Sequence, residues 1–311
     1  MPDDGTRASN RVSRSQSMDA CLSFCGFNRD YQRLRALYAR VMPTADLDDI
    51  TLHYQRRGKG PPLLGIMGFG LDQRFWASQI PVVTATHEFI TFDNRGVGRS
   101  RRQGAPLVTS VEDMVDDTVA LLDHLNVESC LVYGTSMGGA IAQHLALEYP
   151  ERVKALILAV TWARPIEFMR RQHLLARTLI QASGPELLVE STLVRMFTPA
   201  FFEMGAEVLD QMVMAFMAET GPDVPDTDVL LAQIDAVDKH DVLDRLPAIE
   251  VPTLVIGART DMMVPYLGAE EVAGAIPGAE FVTLETGHGC MIEEMPAYNA
   301  AVQGFLAKQS A

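Results

Sequence analysis

The sequence predicts an α/β protein: a doubly wound, mostly parallel sheet that carries an inserted helical cap. Three observations predict it. Short apolar runs alternate with helix-spaced segments from about residue 46 to 161, and again from 246 onward. Residues 162–245 break that rhythm; they read as helical, rich in Met and Phe, with breaks at Gly184-Pro185, Pro199 and Gly221-Pro222. One glycine-rich turn, Gly134-Thr135-Ser136-Met137-Gly138, follows an apolar run directly and opens a helix. The resulting division is an N-terminal extension over 1–45, a core over 46–161 and 246–311, and a cap over 162–245.

The elements follow in order. ITLHY (50–54) reads as a strand closed by a Gly-Lys-Gly-Pro-Pro turn, and PLLGIM (62–67) as a buried strand running into Gly68-Phe69-Gly70. EFITF (88–92) is the next strand, ending in Asp93-Asn94-Arg95-Gly96. Ser110 and Asp113 form a capping-box pattern before a helix whose positions 111, 114, 115, 118, 122 and 125, apolar except for Thr118, share one side. CLVYG (130–134) is a strand, 137–149 a helix and ALILAV (155–160) a strand. After the cap, TLVIGA (253–258) and EFVTL (280–284) read as strands around a helix at 267–275, and a last helix spans roughly 296–308. Upstream of all these, residues 30–42 could form a short amphipathic helix within an otherwise flexible extension.

Composition narrows the function. Of 311 residues, 48% are hydrophobic and 21% charged, which is ordinary for a globular chain. Twenty-six Lys and Arg against 40 Asp and Glu leave a net charge of −14, which repels phosphate backbones and argues against nucleic acid as a partner. The extension is locally basic, with seven Arg and four Asp. No apolar run is long enough for a membrane span, and four Cys (21, 25, 130 and 290) are too few for a disulfide scaffold. The expected location is therefore the reducing cytoplasm, while oligomeric state is not readable. Cys21 and Cys25 have no second pair or nearby His to complete a metal site. Gly96-x-Gly98 invites a dinucleotide reading, but Arg101 stands where the third glycine belongs. Neither a metal nor a cofactor is expected.

The chemistry centres on Ser136. A G-x-S-x-G turn between strand and helix pushes the serine into a strained, exposed elbow, with the helix N-terminus behind it to favour an oxyanion. A serine hydroxyl needs a general base, and His288 is the histidine of choice among seven, since Thr286-Gly287-His288-Gly289 follows the last strand. The imidazole needs a carboxylate. Asp261 follows the strand TLVIGA, whereas the rival loop Thr161-Trp162-Ala163-Arg164 has no acid and Glu285 sits at a strand end. The order Ser136, Asp261, His288 is one of three known triad orders. The backbone N–H groups of Met137 and Phe69 are the expected oxyanion donors. Gly68, Gly70, Trp162, Phe168 and Met169 are the expected pocket residues.

From about residue 46 to 308 the chain resembles the α/β-hydrolase superfamily, in its serine-nucleophile, esterase-like branch. The motifs PLLGIMGFG, FDNRGVGRS, LVYGTSMGG, VPTLVIGARTDMMVP and GHGCMIEEMP occur in that family's order. The resemblance implies a cap between the family's sixth and seventh strands. Two positions depart from its pattern: Met67-Gly68 replaces a common His-Gly, and Ala258 stands where Gly is usual. The expected activity is cleavage of a small, fairly apolar carboxylic ester through an acyl-enzyme. C–C bond hydrolysis, lactone opening and perhydrolysis on the same triad are the rivals. A non-catalytic member of the fold that binds a small ligand is a further one.

Overall fold

The computed structural model describes residues 43–309, apart from 105, 184 and 204–224. The extension with its expected helix at 30–42 lies outside these residues, as do Cys21 and Cys25. So do Met204, Met212, Met214, Phe216 and Met217 of the Met- and Phe-rich stretch.

The strands are β1 (Thr44–Leu47), β2 (Ile50–Gly58), β3 (Pro62–Ile66), β4 (Glu88–Phe92), β5 (Arg101–Arg102), β6 (Cys130–Thr135), β7 (Val153–Ala159), β8 (Thr253–Ala258) and β9 (Glu280–Leu284). They form one sheet in the order β1-β2-β4-β3-β6-β7-β8-β9, with β5 paired to β2. Pairing is parallel from β4 through β3 to β9 and antiparallel at β1, β2 and β5. The sheet is thus mixed and mostly parallel, as the sequence predicts.

Two strands were not expected. β1 extends the core back to Thr44, two residues before the boundary at 46, and hairpins onto β2 through the Asp48-Asp49 turn. β5 holds only two residues, too few for any periodicity to show. With β5 counted, the inserted helices fall between β7 and β8.

The described α-helices are α1 (Ile80–Val83), α2 (Val111–His124), α3 (Met137–Glu148), α4 (Glu167–Ser183), α5 (Pro185–Met196), α6 (Pro199–Phe202), α7 (Thr227–Lys239), α8 (Tyr266–Ala275), α9 (Cys290–Glu293) and α10 (Met295–Gln309). At the start of α2 the Ser110–Asp113 capping box is formed, with Ser110 N–H donating to the Asp113 carboxylate at 3.2 Å.

Alternate residues of the central strands feed two cores, as a two-residue period requires. Leu64, Ile66, Val132, Leu156 and Leu158 pack with Met114, Ile141, Leu145 and Val272 on one face. Leu63, Leu131, Tyr133, Ala155 and Ile157 pack with Trp76, Val83, Val302 and Phe305 on the other. Every residue of β6 is buried, which is why it reads as an unbroken apolar run. The inserted helices have a smaller core of their own. Ala176 and Ile180 of α4 meet Leu188 of α5 and Leu230 and Ile234 of α7, with Phe69 packed against them. Among the described residues, no helix is long and apolar enough to cross a membrane.

Candidate active site

The strand order places the site. β3 is followed in sequence by β4 on one side, while β6 lies on its other side, so the chain reverses direction across the sheet between β3 and β6. Such a switch point leaves a crevice at the carboxyl ends of the strands. Ile66 of β3 pairs in register with Gly134 of β6, so the loops that start at Met67 and at Ser136 leave the sheet side by side. A Cβ on Gly68 would lie 3.2 Å from Ser136 Cβ and 3.6 Å from its Oγ.

Ser136 sits at the N-cap of α3 with φ 55° and ψ −122°, a conformation that side chains rarely adopt. Its backbone is pinned on all sides. Ser136 N–H donates to the Ala159 carbonyl at 2.9 Å, and its carbonyl accepts from Gly139 N–H at 2.9 Å and from Thr161 Oγ1 at 2.8 Å. The glycines flanking it permit the turn. A Cβ on Gly134 would lie 2.3 Å from the Gly138 carbonyl oxygen, and one on Gly138 would lie 2.0 Å from the Ile66 carbonyl oxygen. The N–H groups of Phe69 and Met137 donate to no protein acceptor among the described residues. Met137 is the first residue of α3, where an amide has no partner within its own helix. Ser136 Oγ likewise makes no hydrogen bond among the described residues.

His288 and Asp261 are brought together. His288 Nδ1 lies 2.6 Å from Asp261 Oδ2, and both residues are buried. Asp261 Oδ1 accepts from Met263 N–H at 2.7 Å and Val264 N–H at 2.8 Å, so the carboxylate is held by its own turn before α8. A proton on Nδ1 facing the carboxylate leaves the Nε2 lone pair free to accept one. Glu285, by contrast, has a side chain 78% exposed and pairs with Arg259 at 3.5 Å, on the outside of the molecule.

Of the expected pocket residues, Gly68 and Gly70 border Ser136 and the inserted helices. Trp162 and Met169 are buried in the core cluster of the α3 face, and the Trp162 ring stands edge-on to His240. Phe168 is 42% exposed at the start of α4, while the next position, Met169, takes the inward side of that helix.

Several residues that hold the site lie within the sequence motifs without having been given a role by them. Asn94 Nδ2 donates to the Met67 carbonyl at 3.1 Å, tying down the loop where the family's common His is missing. Buried Asp93 accepts from Gln73 N–H and Arg99 N–H, each at 2.9 Å, and lies 3.2 Å from His53 Nδ1. The Asp93–Gly98 turn is therefore a brace for the loop after β3. Glu293 is the third. Its Oε2 accepts from Thr286 Oγ1 at 3.0 Å, Gly287 N–H at 3.2 Å and Thr198 N–H at 3.3 Å, and its Oε1 accepts from Thr198 Oγ1. Its place five residues after His288 in GHGCMIEEMP was the signal that could have found it.

Glu112, His144 and Glu148 bring three potential ligand atoms within 4.8 Å of one another. His144 is already engaged at both nitrogens, by Glu148 at 2.9 Å and by His240 at 3.1 Å, so neither ring nitrogen is left to ligate a metal ion.

Comparison with known proteins agrees with this architecture. The family model described as alpha/beta hydrolase fold matches residues 61–294. A protein of Azorhizobium caulinodans named "Putative carbamate hydrolase RutD" is 33% identical over 265 residues, which is 85% of this chain and 98% of that one. A protein of the same name from Pseudomonas syringae pv. syringae is 30% identical over 259 residues, 83% of this chain and 98% of the relative. Among solved structures, the enol-lactonase from Burkholderia xenovorans LB400 superimposes with a TM-score of 0.76 at 27% identity, covering 85% of this chain and all of the other. A thermophilic esterase from Thermogutta terrifontis gives a TM-score of 0.74 at 28% identity, covering 87% of this chain and 98% of the other. The chain belongs to the alpha/beta hydrolase fold family and is a hydrolase.

Proposed function

We propose that this hydrolase cleaves a small, fairly apolar carboxylic ester through an acyl-enzyme on Ser136. The observation that carries the reading is the elbow. A serine fixed at φ 55° lies at the head of α3, beside a loop whose Phe69 N–H, like the N–H of Met137, has no protein acceptor. Two unpaired amides near a serine suit the oxyanion of a tetrahedral acyl intermediate.

In the reaction, Ser136 Oγ forms a bond to the ester carbonyl carbon while His288 Nε2 takes the hydroxyl proton. Asp261 orients the ring and stabilises the imidazolium. The N–H groups of Phe69 and Met137 hold the developing oxyanion. Collapse breaks the carbon–oxygen bond to the leaving alcohol, which receives the proton from His288. Water then gives a proton to His288, attacks the acyl carbon and releases the acid with Ser136 restored. Residues 162–245 serve as the cap over this crevice, and the buried Met196, Phe197 and Phe201 give it an apolar lining beside the His288 loop.

The names of the RutD relatives favour a second reading, in which the same residues attack a carbamate carbonyl. A carbamate is the less electrophilic substrate, so the oxyanion donors would matter more. One experiment addresses both. A fluorophosphonate probe is applied to the native protein and to Ser136→Ala. Hydrolysis is then followed on p-nitrophenyl esters from acetate to palmitate beside a lactone and a p-nitrophenyl carbamate. Stoichiometric labelling and a short-chain ester preference are expected. Both should be lost in Ser136→Ala, with residual turnover below about a thousandth. Labelling of Ser136→Ala at the native rate would sink the assignment, and turnover of the carbamate alone would replace the ester by the second reading.

A further inference from the structure

Among the described residues five buried side-chain polar atoms have no hydrogen-bond partner, and one of them, on Gln233, belongs to a side chain that already binds the loop after β3. Gln233, in the middle of α7, is 1% exposed, and its Oε1 accepts the Gly70 N–H at 3.0 Å. A backbone N–H can only donate, so the orientation of the amide is fixed: oxygen toward the loop, NH₂ away from it. That NH₂ has no hydrogen-bond partner among the described residues although its nitrogen is fully buried. Native proteins seldom leave a buried donor unpaired, and an acceptor from outside the chain is one way in which such a group is satisfied.

The surroundings indicate what kind of acceptor. Gly70 is two residues beyond Gly68, which borders Ser136, and Phe69 between them is one of the oxyanion donors in the proposed reaction. Around this contact α7 meets the loop through an apolar cluster of Ala176, Ile180, Leu188, Leu230 and Ile234, with Phe69 against it. A carboxylate entering such a cluster would lose its hydration with only one neutral amide in return. A ketone or ether oxygen loses far less.

We propose that Gln233 Nε2 is a substrate-binding group that donates to a neutral oxygen in the acyl part of the ester. The preferred substrates are then keto- or alkoxy-acyl esters rather than plain alkanoates. This inference rests on the Ser136 acyl-enzyme reading, and it is tested so that the two can fail separately. Shape-matched pairs of p-nitrophenyl esters are compared: 4-oxopentanoate with 4-methylpentanoate, and 5-oxohexanoate with 5-methylhexanoate. Each rate is divided by the alkaline hydrolysis rate of the same ester.

In the native protein the keto ester of at least one pair should be favoured about tenfold in kcat/KM, the scale of one hydrogen bond to an otherwise unpaired donor. Gln233→Met loses the Gly70 bond for both esters alike, so the ratio isolates the NH₂, and it should fall to about one. A native ratio near one for both pairs overturns the proposal, as does a ratio that survives in Gln233→Met. If the native protein hydrolyses neither ester, the acyl-enzyme reading has failed. The Kd values of each pair on Ser136→Ala, measured by calorimetry, then decide on Gln233. A tenfold gap supports the contact and equal affinities overturn it. The same binding measurement decides if Gln233→Met does not fold.

Discussion

Around Ser136 the contacts come from the sheet and from α3 behind it, whereas the loop of His288 leans on the inserted helices. The Ser136 backbone is tied to Ala159 and Thr161 after β7 and to Gly139 of its own helix, and Gly138 is packed on the Ile66 carbonyl of β3. The loop of His288 meets Met196 and Thr198 instead. Gly289 N–H donates to the Met196 carbonyl at 2.8 Å, Gly287 leaves room for that same carbonyl, and Glu293 bridges Thr198 to Thr286 and Gly287. The proposed nucleophile thus belongs to the core, and the proposed base is held partly by helices inserted nearly 100 residues earlier.

Asp261 belongs to the core side of this comparison, since its turn after β8 supplies two of the three hydrogen bonds of its carboxylate. Asp261→Asn should therefore leave the loop in place and still cost on the order of 10⁴ in kcat, because an amide cannot stabilise the imidazolium. Glu285→Gln should change kcat by less than about twofold, as an exposed ion pair contributes little. Steady-state kinetics on a p-nitrophenyl ester compare the two. A larger loss at Glu285 would reverse the assignment of the acid.

Glu293 belongs to the other side and should give an intermediate effect. Glu293→Gln puts an NH₂ where the loop needs an acceptor, loosening His288 without touching the elbow. A loss of about ten- to a hundredfold in kcat is expected, the scale for a catalytic group misplaced by about 1 Å. The rate of fluorophosphonate labelling should fall by a similar factor, since it too needs the base. Circular dichroism should not change, and Glu293→Asp should recover part of the rate. A variant with native kcat would show that the inserted helices do not position the base.

This division also explains what could be read from the chain beforehand. Ser136 was legible because its constraints are local: a strand, two glycines and a helix within nine residues. His288 and Asp261 were legible from their places after the last two strands. Asn94, Gln233 and Glu293 were not, because each holds backbone of a segment distant in sequence, and no periodicity records such a bond. The parallel core was legible from its apolar runs, whereas β5 is too short for a pattern and β1 has only one buried residue in four. Composition marked the insert as apolar, but only helix phase decides which of Phe168 and Met169 turns inward.

The smallest expected effect concerns the seam where the insert returns to the core. His240, at the C-terminal end of α7, accepts at Nδ1 from His144 Nε2 of α3 at 3.1 Å and donates from Nε2 to the Trp162 carbonyl at 3.1 Å. A second proton on His240 would point an N–H at an N–H. Burial, followed by the charge of His144, lowers its pKa to about 3. Around the pair stand Glu148, at 2.9 Å from His144, Glu112, at 3.6 Å, and Arg245, at 3.5 Å from Glu148. Between the unfolded value near 6.5 and the folded value near 3 the unfolded chain binds the extra proton, so stability falls as pH falls through that window. One proton corresponds to a slope of up to about 1.4 kcal/mol per pH unit. His240→Gln should be less stable at pH 7 by about 1–3 kcal/mol, because a hydrogen-bonded group is lost from a buried seam. Its urea-unfolding free energy should nevertheless fall less steeply than the native one between pH 7 and pH 5. Equal slopes would mean that His240 carries no proton-linked stability, and that the insert is joined to α3 by packing alone.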